Sequence, residues 1–399
     1  MPRHMLVIGR SREIHAKVAK LGFRMTVIAA KPKIATLDTG IYDRVIGLPD
    51  GAAPVEEWVA MARAVHAVDP VLAVGGLSET TQYLAAAVAQ ELGLPYASRR
   101  TIELSRDKYE MRRVLRARGL DGTESRVVSD ARGIETFAAE YGYPIVLKPR
   151  DGQGKMGFSL LRDAGAVAGA LERFETQTPH SEMLVEQFLE GEEYSVEAFS
   201  EGGEHQVICV TKKFKDPQTF VEIGHCVPAP VGPDAERAMT DFALQVLDAI
   251  EVENGPSHTE IMLGPDGPRV VETHARLPGG AVVNLIDMLT GVDLDELWIR
   301  QLAGDSVRME VPGKPRGHAA SAFAVPKGPG TLRRIHGAAE AAGLPGVALV
   351  KLIFEPGTEI SDVYDSDSRG AGVLARGDTA GAAVSRSRAA VDLLTFEIS

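Results

Sequence analysis

Two glutamates on either side of a turn are the residues whose types and spacing point most directly to chemistry. Between His258 and Arg276, two short apolar runs flank Gly264-Pro265-Asp266-Gly267-Pro268, a cluster of turn formers, so the segment reads as a β-hairpin. With the turn centred on Asp266, Glu260 falls opposite Glu272, their Cβ atoms roughly 4.5–5.5 Å apart. Like charges at that spacing repel unless a cation lies between them. Mg²⁺ held by one or two carboxylates together with substrate phosphates is the usual arrangement. Alternation adds His274 and Arg276 to this face, with Met262 and Val270 nearer the turn, and sends Ile261, Leu263 and Val271 to apolar packing. On the hairpin alone two other readings stand. The glutamates could simply face water, or His258, Glu260, Glu272 and His274 could bind zinc for a hydrolase.

Cationic residues upstream favour a phosphate. Tyr143–Leu147 reads as a strand ending in Lys148-Pro149, followed by a loop in which Gly152, Gly154 and Gly157 fall within six residues and enclose Lys155. Glycines let backbone N–H groups approach an anion, and a lysine at the strand end supplies a point charge. The spacing is not that of a Walker loop. Ser105–Arg118 reads as a helix with Lys108 in its first turn. The run Glu186-Gln187-Phe188-Leu189 leads through a polar turn to Glu193, so backbone groups could meet a purine edge while Glu193 reaches ribose hydroxyls. A plain hairpin with a solvated turn is the alternative there.

The elements that must position these groups follow from periodicity. Strands at Met5–Ile8, Met25–Ile28 and Pro70–Val74, with helices at Arg12–Leu21 and Glu79–Leu92, indicate a parallel, doubly wound unit. Its first loop, Gly9-Arg10-Ser11, lacks the GxGxxG dinucleotide fingerprint. Gly75-Gly76 ends a strand at the carboxyl edge, where ligands collect.

Composition narrows the class. The 399 residues exceed one ordinary core; 44% are apolar and 25% charged, and no apolar run is long enough to span a membrane. A formal charge of −12 opposes binding to nucleic acid. Cys209 and Cys226 are the only cysteines and suit neither a disulfide framework nor a zinc site. The opening residues hold only a short apolar run, so no signal peptide is expected and the expected location is cytoplasmic. A homodimer is the expected assembly.

Taken in order, Lys108, Lys148 with the glycine loop, Glu186–Leu189 with Glu193, Glu260 and Glu272-x-His274-x-Arg276 resemble the ATP-grasp superfamily of carboxylate–amine ligases. The tail, from Gly317-His318-Ala319 through Gly330-Thr331-Leu332 to Gly372–Gly377, is similar to the C-terminal domain of the bacterial L-amino acid ligases that make dipeptides. So is Phe220–His225 followed by Pro228-Ala229-Pro230. The resemblance implies an α/β fold with an N-terminal doubly wound domain at 1–100 and an ATP-grasp domain at 101–310. The latter would divide into a lid subdomain at about 101–188 and a large subdomain at about 189–310, before a C-terminal α+β domain at 311–399.

It also implies a small-molecule carboxylate and a small-molecule amine as substrates, with ATP and Mg²⁺, two ions, as cofactors. By position, Lys108, Lys148 and the loop of Gly152, Gly154, Lys155 and Gly157 would hold the phosphates. Glu186, Gln187 and Leu189 would frame the adenine, Glu193 would bind ribose, and Glu260 and Glu272 would bind the metal. Arg276 would steady the acyl phosphate, and Glu222, His225, His274, Gly279 and Gly280 would border the substrate. His274 stands where the family commonly has Asn, and Lys155 where it commonly has Ser. Asn284, Asp287, Arg333 and Arg334 are further candidates for contact with substrate. A non-amino-acid carboxylate or a purine-pathway substrate is the alternative within the ligases.

Overall fold

Every residue of the strand His4–Ile8 is buried, and alternation divides its side chains between two cores. Met5 and Val7 face one side, Leu6 and Ile8 the other. The computed structural model describes residues 3–49, 53–151, 154–361 and 368–399. His4–Ile8 pairs in parallel with Arg24–Ala30 and Ala73–Gly75, and Arg44–Leu48 extends the sheet beyond Arg24–Ala30. Helices at Arg12–Lys20, Val55–Val68 and Glu79–Leu92 cover it, giving the doubly wound unit.

Three details differ from the sequence reading. Pro70–Leu72 lie outside the fourth strand, which is confined to Ala73–Gly75. Arg44–Leu48 and Val55–Val68 give weak signals, because the strand is short, interrupted by Gly47 and only partly buried. The helix expected at Ser105–Arg118 is two helices, Arg99–Arg106 and Lys108–Ala117. Asp107 separates them: its carboxylate accepts from the N–H groups of Tyr109 and Glu110 and pairs with Arg150, so a new helix starts at Lys108.

His15 fastens the first helix to the loop before Arg44, its Nδ1 lying 2.8 Å from the Tyr42 hydroxyl. Burial pushes its pKa down to about 4, below its ordinary value of 6.5. The unfolded chain therefore takes up this proton first on acidification. The stabilisation is complete above pH 6.5 and is lost as pH falls towards 4, by about 3 kcal/mol in all. Chemical denaturation across that range should show this loss, and His15→Gln should flatten it; an equally steep variant would refute the assignment.

A second sheet is antiparallel, in the order Ser125–Val128, Met183–Gln187, Ile145–Pro149, Ser159–Leu161, and is backed by helices Ala131–Tyr141 and Val167–Gln177. The largest sheet has eight antiparallel strands. Their order is Gly267–His274, Gly255–Gly264, Glu192–Glu201, Glu204–Lys215, Glu222–Val227, His318–Ala324, Ala371–Gly377 and Val347–Leu352. Glu222–Val227 pairs directly with His318–Ala324, so one sheet runs on into the C-terminal region. Met183–Gln187 and Glu192–Glu201 are not a hairpin: they belong to different sheets, and residues 188–191 connect the two.

The large sheet has an apolar and a polar face. Tyr194, Val196, Val210 and Ile261 pack on helix Pro233–Ala249 through Met239 and Ala243. Opposite them, the pairings place Glu193, Ser195, Glu197, Thr211, Lys213, His258 and Glu260 on the other face. Among the described residues, no helix is long and apolar enough to cross a membrane.

Candidate active site

The hairpin delivers its glutamates as a facing pair, by a route the sequence did not show. Gly264 pairs with Gly267 and Ile261 with Val270, so the turn is Pro265-Asp266 and the register starts one residue short. A bulge at Val271 makes up the difference, and Glu260 then pairs with Glu272 and His258 with His274. The extra residue exchanges the two valines. Val270, expected on the charged face, is fully buried among Leu104, Met111 and Leu115. Val271, expected in apolar packing, lines the site.

Each glutamate is matched by a lysine. Lys108 Nζ lies 3.1 Å from Glu272, and Lys213 Nζ 2.5 Å from Glu260. Burial would raise both carboxyls, but Lys213 and His258 outweigh it at Glu260, and Lys108 and His274 at Glu272. Both are held well below the usual carboxylate range. Ligand atoms of Glu260, Glu272 and His274 lie within 4.8 Å of one another. Two ionised carboxylates are a hard oxygen donor set and fit Mg²⁺. A second acidic group, Glu193, Glu222 and Glu260, already encloses a cation: Lys213 Nζ is 3.2, 2.7 and 2.5 Å from the three carboxylates.

The zinc reading fits poorly. His258 Nδ1 lies 2.8 Å from Glu197 and its Nε2 3.2 Å from Glu260, so both ring nitrogens are engaged. Burial opposes a charge on this ring, yet the two glutamates hold it protonated, with a pKa of about 9. A protonated imidazole has no lone pair for a metal.

Two adjoining cavities meet at Lys148, Lys155, Phe158 and Val271. One, of about 320 Å³, is bordered by Phe188, Leu189, Phe220, Met262 and the carboxylate of Glu193. Phe220 packs against Phe158 and Phe188, at centroid distances of 5.6 and 6.5 Å. The other, of about 410 Å³, holds Lys108, Glu260, Glu272, His274, Arg276, Glu222, His225, Gly279 and Gly280. Gly154 also lines it, whereas Gly152 lies outside the described residues. The Gly157 N–H donates to Gln177 Oε1, so at this position the loop's N–H is engaged within the protein. Lys155 holds its ammonium 4.9 Å from the centre of the Phe158 ring.

Both oxygens of Glu186 are occupied: Arg112 donates to Oε1 at 2.5 Å and to Oε2 at 3.1 Å, and Lys148 meets Oε2 at 2.6 Å. Arg112 also reaches Asp121 at 3.0 Å and the Val270 carbonyl at 3.2 Å. This buried cluster ties the helix Lys108–Ala117 to both sheets and sets the position of Lys148. Burial, with Arg112 and Lys108 nearby, pulls the Lys148 ammonium below its ordinary pKa despite Glu186. Gln187 Oε1 accepts from the Glu124 N–H. Glu193 pairs with Lys213 and, at closer range, with Lys215.

Among the residues of the site that escaped the sequence reading, four stand out. Glu79, at the start of the helix after Gly75-Gly76, pairs with Arg276 at 2.5 Å and lies 3.5 Å from His274. Arg369 approaches Glu222 at 3.3 Å from the C-terminal region. Arg112 and Lys213 are the other two. For Lys213 a signal existed: Thr211-x-Lys213-x-Lys215 repeats the strand period with polar residues, as Glu193-x-Ser195-x-Glu197 does. Arg333 and Arg334 stand elsewhere, on the strand Gly330–His336 of a separate three-stranded sheet, where Arg333 donates to Ser399 Oγ. Asn284 and Asp287 are exposed on the helix Val282–Thr290, while Gly279 and Gly280 before it border the cavity.

Known proteins match the chain in two stretches. Residues 141–284 match the model of the ATP-grasp domain, and residues 322–399 that of L-amino acid ligase C-terminal domain 2. An uncharacterised protein of Sinorhizobium fredii is 29% identical over 377 residues, covering 94% of this chain and 75% of that one. The alanine–anticapsin ligase of Bacillus subtilis is 25% identical over 277 residues, 63% of this chain and 58% of the ligase. Dapdiamide A synthase of Enterobacter agglomerans is 26% identical over 196 residues, 47% of this chain and 46% of the synthase. The chain thus aligns with about half the length of these named relatives. The crystal structure of an L-amino acid ligase from Bacillus licheniformis superposes with a TM-score of 0.85 at 22% identity, covering 100% of this chain and 99% of that one. Phosphoribosylglycinamide synthetase from Anaerococcus prevotii gives a TM-score of 0.73 at 14% identity, with both chains covered completely. An ATP-grasp domain thus spans the paired glutamates, and the tail that follows it is an L-amino acid ligase C-terminal domain.

Proposed function

We propose that this protein joins the carboxylate of one amino acid to the amine of a second, at the expense of ATP, through an acyl phosphate, releasing ADP and phosphate. The observation that carries this reading is the facing pair Glu260 and Glu272, each with its own lysine, where an aromatic-walled cavity meets a polar one. In this reading the aromatic cavity takes the adenosine. Backbone groups of Gln187 to Leu189 meet the base, since the Glu186 carboxylate is engaged, and Glu193 faces the ribose. Lys108, Lys148 and Lys155 face the phosphates. Glu260 and Glu272 would hold Mg²⁺, two ions in our reading, which when bound supply neutralisation of phosphate charge.

A carboxylate is a poor electrophile, so its oxygen attacks the γ-phosphate and ADP leaves; the lysines offset charge on the phosphoryl oxygens. The amine nitrogen then attacks the acyl carbon, the C–O bond to phosphate breaks, and the ammonium's protons leave to solvent or to a neighbouring base. Arg276, held by Glu79, is placed to stabilise the oxyanion. The loop around Lys155 restricts water that would hydrolyse the acyl phosphate. We place the domain divisions near residues 100 and 310.

The test is ADP and AMP release with Mg²⁺ and ATP across single and paired amino acids, with products weighed by mass spectrometry. ADP released only with particular pairs, beside a mass equal to their condensation, supports the reading. AMP release, or ADP without a condensed product, overturns it. In the same assay Lys155→Ala should raise the apparent KM for ATP about tenfold, close to 1.4 kcal/mol. Unchanged kinetics would show that Lys155 does not reach the phosphates.

A further inference from the structure

Arg369 has no task in the scheme above, yet its surroundings are those of a binding residue. It is 8% exposed and lines the polar cavity but not the aromatic one. Its guanidinium stacks on Phe323, 4.4 Å from the ring centre, and its Nε donates to the Glu222 carbonyl at 3.0 Å. These contacts fix the plane of the fork. Nη2 reaches a Glu222 carboxylate oxygen at 3.3 Å, and Nη1 has no hydrogen bond among the described residues. Arg276 differs: its Nε and Nη2 both donate to Glu79 and its Nη1 to the Leu277 carbonyl.

Arg369 therefore keeps a whole Nη1 group for a ligand among the described residues, whereas each Nη of Arg276 already has one N–H engaged. Such a fork matches a carboxylate, and it is stronger where water is excluded. The carboxylate undergoing activation belongs beside Glu260, Glu272 and Lys108, so a carboxylate on Arg369 is a second one. Glu222, next to Arg369, supplies the opposite charge, which a substrate ammonium would share with Lys213 at 2.7 Å and His225 at 3.3 Å. An α-amino acid carries its carboxylate and ammonium on one carbon, which suits neighbouring Arg369 and Glu222. The C-terminal region supplies the wall behind them: Ser321 Oγ accepts from the His225 N–H at 3.1 Å, and Phe323 packs against His225.

The geometry points to Arg369 as the residue that reads the free carboxylate of the amine-bearing substrate, so that amino acids are taken as acceptors in preference to their amides or to simple amines. This rests on the ligase reading above. Two measurements separate the two claims. The first is calorimetric titration of amino acids and of the corresponding amides into the protein loaded with Mg²⁺ and a non-hydrolysable ATP analogue. The second is the ratio of kcat/KM for an acceptor amino acid to that for its amide.

Wild type should prefer the acid roughly 100-fold, the worth of a hydrogen bond between charged groups in a dry site. Arg369→Met should bring the ratio close to one, with Arg369→Lys in between and the melting behaviour of both variants near that of wild type. Acid and amide weakened equally, a selective rise in the KM of the activated carboxylate substrate, or no amino acid binding to wild type would each overturn the assignment. Amino acids that bind in an Arg369-dependent way without condensing would leave the subsite standing and remove the ligase reading instead.

Discussion

Glu272→Gln should lower ADP formation by about 10³-fold while leaving the fold intact, because an amide keeps the shape of the side chain but loses the charge that faces Lys108 and would hold the metal. Glu272 is a fair target because it sits at the cavity edge with its side chain 21% exposed, so little apolar packing depends on it. Rapid-quench measurement of ADP, with melting curves of both proteins, checks this result. Turnover within a few-fold of wild type would remove Glu272 from the metal site. Loss of activity together with an early melt would mean that the Lys108 pair is structural.

Arg112→Met should cost about 3–5 kcal/mol of stability, since it leaves Glu186 and Asp121 as buried carboxylates with one cation fewer. The size of the effect can be tracked with pH. In the intact protein burial would raise the Glu186 carboxyl, but Arg112 and Lys148 outweigh it and hold the pKa at about 2. Its stabilising contribution is therefore present above the ordinary carboxylate pKa near 4.5 and declines as pH falls towards 2. Removing Arg112 takes away much of that contribution, so the gap in denaturation midpoint between wild type and variant should narrow below pH 4.5. Adding Glu186→Gln to Arg112→Met should recover part of the loss. A constant gap, or no recovery, would show that the guanidinium's own packing matters more than its charge.

What could be read from the sequence was whatever one element writes in its own spacing. The helix Glu79–Leu92 has its expected bounds, and the opposition of Glu260 to Glu272 was visible because turn residues mark a hairpin and alternation counts outward from them. Even there a shorter turn and a bulge offset each other, and only the exchanged valines reveal it. The residues that were missed owe their place to contacts between elements. Glu79 opens an ordinary helix until the first sheet brings it to Arg276, and Arg112 is one arginine among several until the strand Met183–Gln187 supplies Glu186. Lys213 needs three strands to gather its carboxylates. Arg369 stands almost 150 residues beyond Glu222, and nothing local to either names the other.

The unbroken run of eight strands has a consequence for anyone who would exchange parts of this protein. The similarity to the L-amino acid ligase tail begins at residue 322, inside the strand His318–Ala324. A chimera joined at that point would replace half a strand whose partner, Glu222–Val227, carries the Glu222 and His225 of the site. Removing the tail altogether would bare the N–H and C=O groups of that partner as a new edge, a template for pairing with other chains. The joint that a sequence comparison suggests is thus a seam through hydrogen-bonded backbone. A transplant that leaves no such edge and keeps the polar cavity's wall intact must carry His318–Ala324 whole, together with the residues of Glu222–Val227 that pair with it.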